Sequence, residues 1–446
     1  MAAVRETWRA LWISRLLVWV AGAGTVATLG FGPTRGAFDP PGVTRGFGSL
    51  GDLLAAPAAR WDSAWYLVIA HYGYRPELGG YTSARDAFFP LYPLGLHTLS
   101  ALGPAAVGAG VALSLAAFAV ALYCLHRLTT LELAASGRLG GGETARLAVL
   151  VTALAPMAFY FSAVYSESLY LALSVGLFLC ARRGRWAWVG VLGALAAATR
   201  SSGLVLALPA LMLYLYGPRA DRPPDRDRMR LRRPAAGGRA RALLSGAGRR
   251  LDAFRPRYAL RSDILWLALL PAGLGLYMAY LGLSGGDTLA PFHAQGVWGR
   301  HFAGPYGGVW DGARAAFEGA RQLLSAQRAH IYYQAASGSP FVAAGHNLMT
   351  LAFLLAAVPL FALALRLLPP AYGVYAIAAL ALPLSYPVPA QPLMSLPRFL
   401  VVLFPLSMAL AVWLAARPRA RAPVLAGSAL LMAFFVAQFA TWHWVA

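Results

Sequence analysis

The sequence predicts an all-α, polytopic integral membrane protein of about 11 transmembrane helices, with interfacial helices in its first long outer loop. Three observations predict it. First, the 446 residues are 59% apolar and only 12% charged, whereas a soluble protein averages roughly 25% charged. Second, apolar runs close to the roughly 20 residues that cross a bilayer recur along the whole length, and they are too long for the alternating strands of a porin-type barrel. Third, the charge is segregated. All 38 Lys+Arg positions are arginine, and 14 of them fall between Arg219 and Arg261. A net charge of +21 distributed this way reads as the basic cytoplasmic side of a membrane protein facing anionic headgroups, rather than as a nucleic-acid surface.

The spans follow in order. The first covers 11–29. Arg5, Arg9 and Arg15 flank it, and it is long enough to remain as an anchor instead of being cleaved as a signal. Residues 30–104 form a long Gly/Pro-rich loop with amphipathic pieces near 61–72 and 87–101. Pro90 and Pro93 keep the second piece on the surface. Further spans are expected at 105–126, 146–163, 168–181, 186–199, 203–216, 264–283, 345–365, 371–386, 399–415 and 423–441. With the N-terminus inside, the inner segments hold 26 arginines and 8 acids, and the outer segments 11 arginines and 9 acids. Residues 217–263 are then an Arg-rich cytoplasmic loop and 284–344 a second long outer loop, within one transmembrane domain of 1–446. Four spans (168–181, 186–199, 203–216 and 371–386) fall short of the roughly 20 residues that cross a bilayer, so their ends need protein or water around them. An outward-opening cavity follows as an expectation. Cys124 and Cys180 lie inside apolar runs, in neither a metal nor a disulfide spacing.

Charged side chains in such a chain are expensive and mark function. Asp62, in Arg60-Trp61-Asp62-Ser63-Ala64-Trp65-Tyr66, begins a helix whose Trp61, Trp65, Ile69 and Tyr72 face is expected to lie on lipid. Its carboxylate is either a helix cap or a base. Asp86 precedes Phe88-Phe89-Pro90 and either caps, pairs with Arg85, or joins Asp62 around a divalent cation, Mg²⁺ or Mn²⁺. Glu167, at a tip between two spans, either caps a helix, binds sugar hydroxyls or orients Arg200. Arg200 interrupts the apolar run 186–216, and Arg398 opens another span. Each is a guanidinium fork suited to a phosphate, or else one that snorkels to headgroups. Asp287, His293, Gln295, Trp298, Arg300 and His301 cluster in the second outer loop without a zinc spacing; either histidine is a phosphate or sugar ligand, or simply solvated.

Five motifs occur in order: Arg60-Trp61-Asp62 with Ala70-His71-Tyr72-Gly73-Tyr74; Ala87-Phe88-Phe89-Pro90-Leu91-Tyr92-Pro93; Phe161-Ser162-Ala163-Val164-Tyr165-Ser166-Glu167-Ser168; Thr199-Arg200-Ser201-Ser202-Gly203; and Pro397-Arg398-Phe399. As a set they resemble the PIG-V family, the glycosylphosphatidylinositol mannosyltransferase II group with its bacterial relatives, in the glycosyltransferase C superfamily. The resemblance implies transfer of mannose, or a related hexose, from a polyprenyl- or dolichyl-phosphate donor at the extracytoplasmic face, with inversion. The acceptor would be a membrane-associated lipid or glycan. It maps the family's base onto Asp62 and its basic positions onto Arg200 and Arg398. The remaining polar candidates, Asp86, Glu167, His293, Arg60 and Arg300, would hold sugar, acceptor or a cation. The first outer loop has Trp61-Asp62 and no Asp-x-Asp, so a metal is not required by the motif. A transporter or lipid flippase is the competing class; it would need polar groups through both halves of the membrane, whereas the charged and hydroxyl-rich clusters here are expected on the outer side. An inactive assembly subunit would make Asp62 dispensable.

Overall fold

The computed structural model describes residues 1–32, 42–46, 48–74, 82–103, 105–135, 141–225, 256–284 and 286–445. Among these the chain is helical throughout, with no strand. The helices are α1 (Ala2–Leu29), α2 (Gly48–Ala55), α3 (Ser63–Tyr72), α4 (Thr82–Arg85), α5 (Leu91–Ser100), α6 (Ala106–Ala135), α7 (Gly141–Ala153), α8 (Glu167–Arg182), α9 (Trp186–Ala197), α10 (Ala207–Tyr216), α11 (Ala272–Leu283), α12 (Ala290–His293), α13 (Gly304–Ser325), α14 (Pro340–Leu367), α15 (Pro370–Leu384), α16 (Leu396–Val401), α17 (Phe404–Ala415) and α18 (Pro418–Ala440).

Four of the described helices, α1, α6, α14 and α18, are long and apolar enough to cross a membrane; a fifth span arises if the 3₁₀ helix Ser262–Leu269 and α11, bent by 40°, count as one. The chain is a multi-pass membrane protein. The eleven spans expected are not each a single long helix, and prolines account for several of the breaks. The expected span 146–163 stops at Ala153, turns through Pro156 and resumes as the 3₁₀ helix Ala158–Phe161. Proline lacks the N–H and disfavours helix in the residue before it. Pro271 sits at the 40° bend, and Pro405 lies in the first turn of α17, after the gap that follows α16.

Breaking a span frees carbonyls that lipid cannot satisfy. Arg15 of α1 meets that need. It is buried, and donates to the carbonyl of Ala158 at 2.8 Å, that of Ala153 at 3.2 Å and the hydroxyl of Ser162 at 2.9 Å, with its guanidinium over Phe118.

α8 is the axis of the bundle, buried on nearly every side between α6 and α9. Its 16 residues span roughly 24 Å at 1.5 Å per residue. At its C-terminal pole Arg182 donates to Glu132, which also accepts a 2.6 Å bond from Tyr372. The same pole holds the pairs Glu6–His126 and Glu143–Arg421. At the N-terminal pole stands Glu167. Buried charge is therefore present at both poles, against the expectation of an outer cluster alone; Glu132 and Arg182 satisfy each other. The Arg-rich stretch of 217–263 lies mainly at 226–255, outside the described residues. Of its edge, Arg219 pairs with Asp221 and lies over the rings of Trp186, Tyr214 and Tyr258.

One expectation for the loops changes. The face of α3 expected to lie on lipid is covered by protein. Trp65 and Ile69 are buried, Trp65 stacks on Phe88, and Trp61 packs edge-on against Trp442 and Trp444. Only Tyr72, at the end of that face, is exposed. Within 284–344, expected as a second long outer loop, lies α13, a 22-residue amphipathic helix.

Candidate active site

Asp62 occupies the residue before α3, but its carboxylate makes no capping bond. It turns away to Arg398, whose Nη1 donates to Oδ2 at 2.7 Å. Backbone strain flanks both partners. Trp61 (φ 56°) precedes Asp62 and Ser395 (φ 68°) precedes the helix that carries Arg398. Left-handed conformations of this kind cost about 1–3 kcal/mol each in non-glycine residues and persist where the surroundings impose them. Arg60 helps to impose this one. It is buried, donates to the carbonyls of Ala59 (2.7 Å) and Ala440 (3.3 Å), and lies over Trp442. It ties the Asp62 turn to the end of α18.

Glu167 opens α8, where the helix dipole favours a negative charge. It is 1% exposed. Its Oε1 accepts from Arg200 Nη1 at 3.0 Å and lies 3.2 Å from Arg398 Nε. The second approach is Coulombic, because the Nε–H is not aligned as a hydrogen bond. The result is an alternating row, Asp62–Arg398–Glu167–Arg200, of formal charge zero. Aromatic rings close over it. Arg398 lies over Tyr165, Tyr160 and Phe399, and Arg200 over Phe399 and Tyr170.

Asp62, Arg398 and Arg200 of this row line a cavity of about 910 Å³, with Arg300 beside them. That size lies in the range of small-molecule sites, roughly 300–1,000 Å³. Arg300 donates to the Tyr386 carbonyl at 2.9 Å. Burial pushes its guanidinium down to about 10, with the like charge of Arg398 acting in the same direction and Asp62 opposing. Three guanidiniums and one carboxylate thus line one hollow, an electropositive setting for a phosphate with a single base beside it.

The other sequence candidates stand apart. Glu167 and Arg60 do not line the cavity and act through the residues they hold. Asp86 is outside it too; its backbone carbonyl accepts from Tyr277, and burial raises its carboxyl, with Arg85 opposing and Asp287 adding. His293 is exposed and pairs with exposed Asp287, and neither is part of the cavity lining. Its hydrogen bond and the N–H of Leu289 hold the Asp287 carboxyl below the usual range. Asp62 and Asp86 are not brought together as a cation site, and among the described residues no group of three or more His, Cys, Asp or Glu is placed to hold a metal. The cavity also takes Tyr333, His346, Gln391 and Trp444 from distant segments; none carries a local signal that singles it out.

Residues 46–215 match the family model described as mannosyltransferase (PIG-V). That segment includes Asp62, Glu167 and Arg200; Arg300 and Arg398 lie beyond it. The GPI alpha-1,6-mannosyltransferase 2 proteins of Rattus norvegicus, Mus musculus and Cricetulus griseus are each 34% identical over 182 residues, covering 38% of this chain and 34% of the relative. The chain thus matches about a third of the length of these curated relatives. No solved structure matches it. Over this segment the chain is PIG-V-like, as its motifs suggest.

Proposed function

We propose that this PIG-V-like chain is a membrane mannosyltransferase, or a transferase of a related hexose, and that the cavity bounded by Asp62, Arg200, Arg300 and Arg398 is its active site. The donor is a polyprenyl-phosphate sugar and the acceptor a membrane-associated lipid or glycan. The observation that carries the reading is the Asp62 carboxylate held 2.7 Å from Arg398 in the wall of a cavity with two further guanidiniums.

The reaction is a single displacement. An acceptor hydroxyl attacks the anomeric carbon as the bond from that carbon to the phosphate oxygen breaks. Asp62 takes the hydroxyl proton. The negative charge that builds on the leaving phosphate meets Arg398, Arg200 and Arg300. The configuration inverts, giving an α-mannoside from a β-linked donor. Glu167 touches neither substrate; it positions Arg398 and Arg200 so that both forks face the same hollow. A donor phosphate competes with Asp62 for Arg398, so donor binding loosens the carboxylate for its work as base.

The bilayer orientation belongs to the same proposal. Arg182 and the Glu143–Arg421 pair lie at the pole of α8 opposite Glu167. Arginine-rich ends face the cytoplasm, and this supports a reading with the N-terminus inside and the cavity at the extracytoplasmic face of the cell membrane. The short helices α9, α10, α15 and α17 complete a glycosyltransferase C-type bundle of about 11 crossings, ending partway and leaving room for a membrane-bound donor.

The test offers membranes containing the protein two labelled donors, polyprenyl-phosphate mannose and a nucleotide-linked mannose. Transfer from the lipid donor alone, into an α-linked product, is the expected result. Transfer from the nucleotide sugar, or no transfer above membranes lacking the protein, would refute the assignment.

A further inference from the structure

α13 divides its circumference into three sectors. The first is small and buried: Gly308, Gly312, Ala315, Ala316, Gly319 and Gln322. A β-carbon at Gly308 would come within 1.9 Å of the Leu384 carbonyl oxygen, and one at Gly312 within 2.5 Å of the Leu393 side chain. The bare backbone therefore seats on the end of α15 and the segment after it. Gly319 closes on Ala344, near the start of α14. Both seats lie at the cavity pole, since Leu382, Pro383, Ala343 and His346 line the cavity. α13 crosses helix ends there.

The second sector is large and uncovered. Tyr306, Trp310, Phe317 and Leu324 fall on one face at helical spacing and are 78%, 59%, 64% and 88% exposed. The third sector, between the other two, carries Asp311, Arg314, Glu318 and Arg321, with Arg321 bonded to Glu318 at 2.7 Å. On the helical wheel the two arginines adjoin the aromatic stripe and the two acids lie nearer the buried sector. Phe292, Val297 and Phe302 continue the exposed apolar surface ahead of the helix.

An apolar stripe of this size needs an occupant. We propose that it is the lipid bilayer, and that α13 lies in the interfacial layer at the cavity pole. Tyr306 and Trp310 sit at headgroup depth, Phe317 and Leu324 among the upper acyl chains, and Arg314 and Arg321 among lipid phosphates. Lipid is favoured over a protein partner by what brackets the helix. The apolar bent pair precedes it and α14, long and apolar enough to cross, follows it. Both ends of α13 are thereby tethered to a membrane boundary. This is the place expected for 61–72, whose corresponding face is covered by protein. Segments on either side of α13 (295–300 and 333–343) contribute to the cavity wall, so the seat fixes one wall at headgroup level, whatever the cavity binds.

The test uses the full chain with Cys124→Ala and Cys180→Ala, reconstituted in phosphatidylcholine vesicles. Spin labels are attached at Trp310→Cys, Phe317→Cys or Glu318→Cys, each variant being taken forward only if it elutes as a single species. Collision with oxygen, which concentrates in lipid, is compared with collision with a water-soluble nickel chelate. The expected oxygen-to-nickel ratio is several-fold higher at 310 and 317 than at 318. Equal ratios at the three positions would show a solvated stripe, and shielding of 310 and 317 from both reagents would show a protein cover; either overturns the proposal.

Discussion

Nη1 of Arg398 stands 2.7 Å from Oδ2 of Asp62, across a separation of 336 residues. The same guanidinium turns its Nε toward Glu167, so one planar fork serves two carboxylates. Lysine has the charge but a single point to offer. Arg398→Lys is expected to lower kcat/KM for the lipid donor by about ten- to a hundredfold, the equivalent of roughly 1.5–3 kcal/mol for a hydrogen bond to a charged group. Steady-state kinetics with varied donor measures it, and unchanged values would show that the fork is not used.

Glu167 lies beneath both arginines and is 1% exposed. Removing its charge leaves Arg200 without its carboxylate and Arg398 with Asp62 alone. Glu167→Gln is expected to destabilise the protein by about 3–5 kcal/mol, the scale for breaking a buried pair. A thermal melt in detergent reads the loss. In a cycle with Arg200→Met, the double variant should lose less than the sum of the single variants, because Arg200 is no longer left without its partner.

Arg15→Leu probes the fold at a distance from the chemistry. The arginine serves the carbonyls of Ala153 and Ala158 where a span breaks at Pro156. Each buried acceptor left unmade costs about 1–3 kcal/mol. A marked fall in melting temperature is expected, with donor KM unchanged in the fraction that stays folded.

His293 and Asp287 pair on the surface outside the cavity. His293→Ala is expected to leave transfer within about twofold of wild type, as exposed substitutions usually do. The sign of the pH effect follows from Asp287, whose folded carboxyl is held below its ordinary value. The contribution of the pair to loop order is present above the ordinary aspartate range and is lost as the pH falls through the lowered value. The protection factor at Leu289 N–H, its exchange rate relative to the intrinsic rate at the same pH, should fall as the pH drops through that lowered value.

Charges in apolar surroundings are conspicuous in a sequence, which is why Asp62, Glu167, Arg200 and Arg398 could be singled out. Their assembly into one row could not be read, because nothing local encodes a contact between residues 62 and 398. The cover of the α3 face is not legible for a related reason. A periodic apolar stripe reports that a face is covered, not whether lipid or protein covers it. α13 is not legible in the sequence because its packing face is mostly glycine and alanine, which gives no apolar run. Four charges interrupt the rest. Pro156 was visible, but the arginine that makes its break tolerable lies in another span. Asp62 had the position of a helix cap, and only the geometry of Arg398 decides what its carboxylate does.

The central claim is that Asp62 is the base. Membranes carrying wild type or Asp62→Asn, matched for protein amount and melting temperature, are supplied with polyprenyl-phosphate mannose and the initial rate of transfer is measured. The asparagine keeps the size and one oxygen for Arg398 but accepts no proton, so the rate should fall by roughly 10²–10⁴-fold, the scale of general-base catalysis. Equal rates from the two proteins would contradict the account.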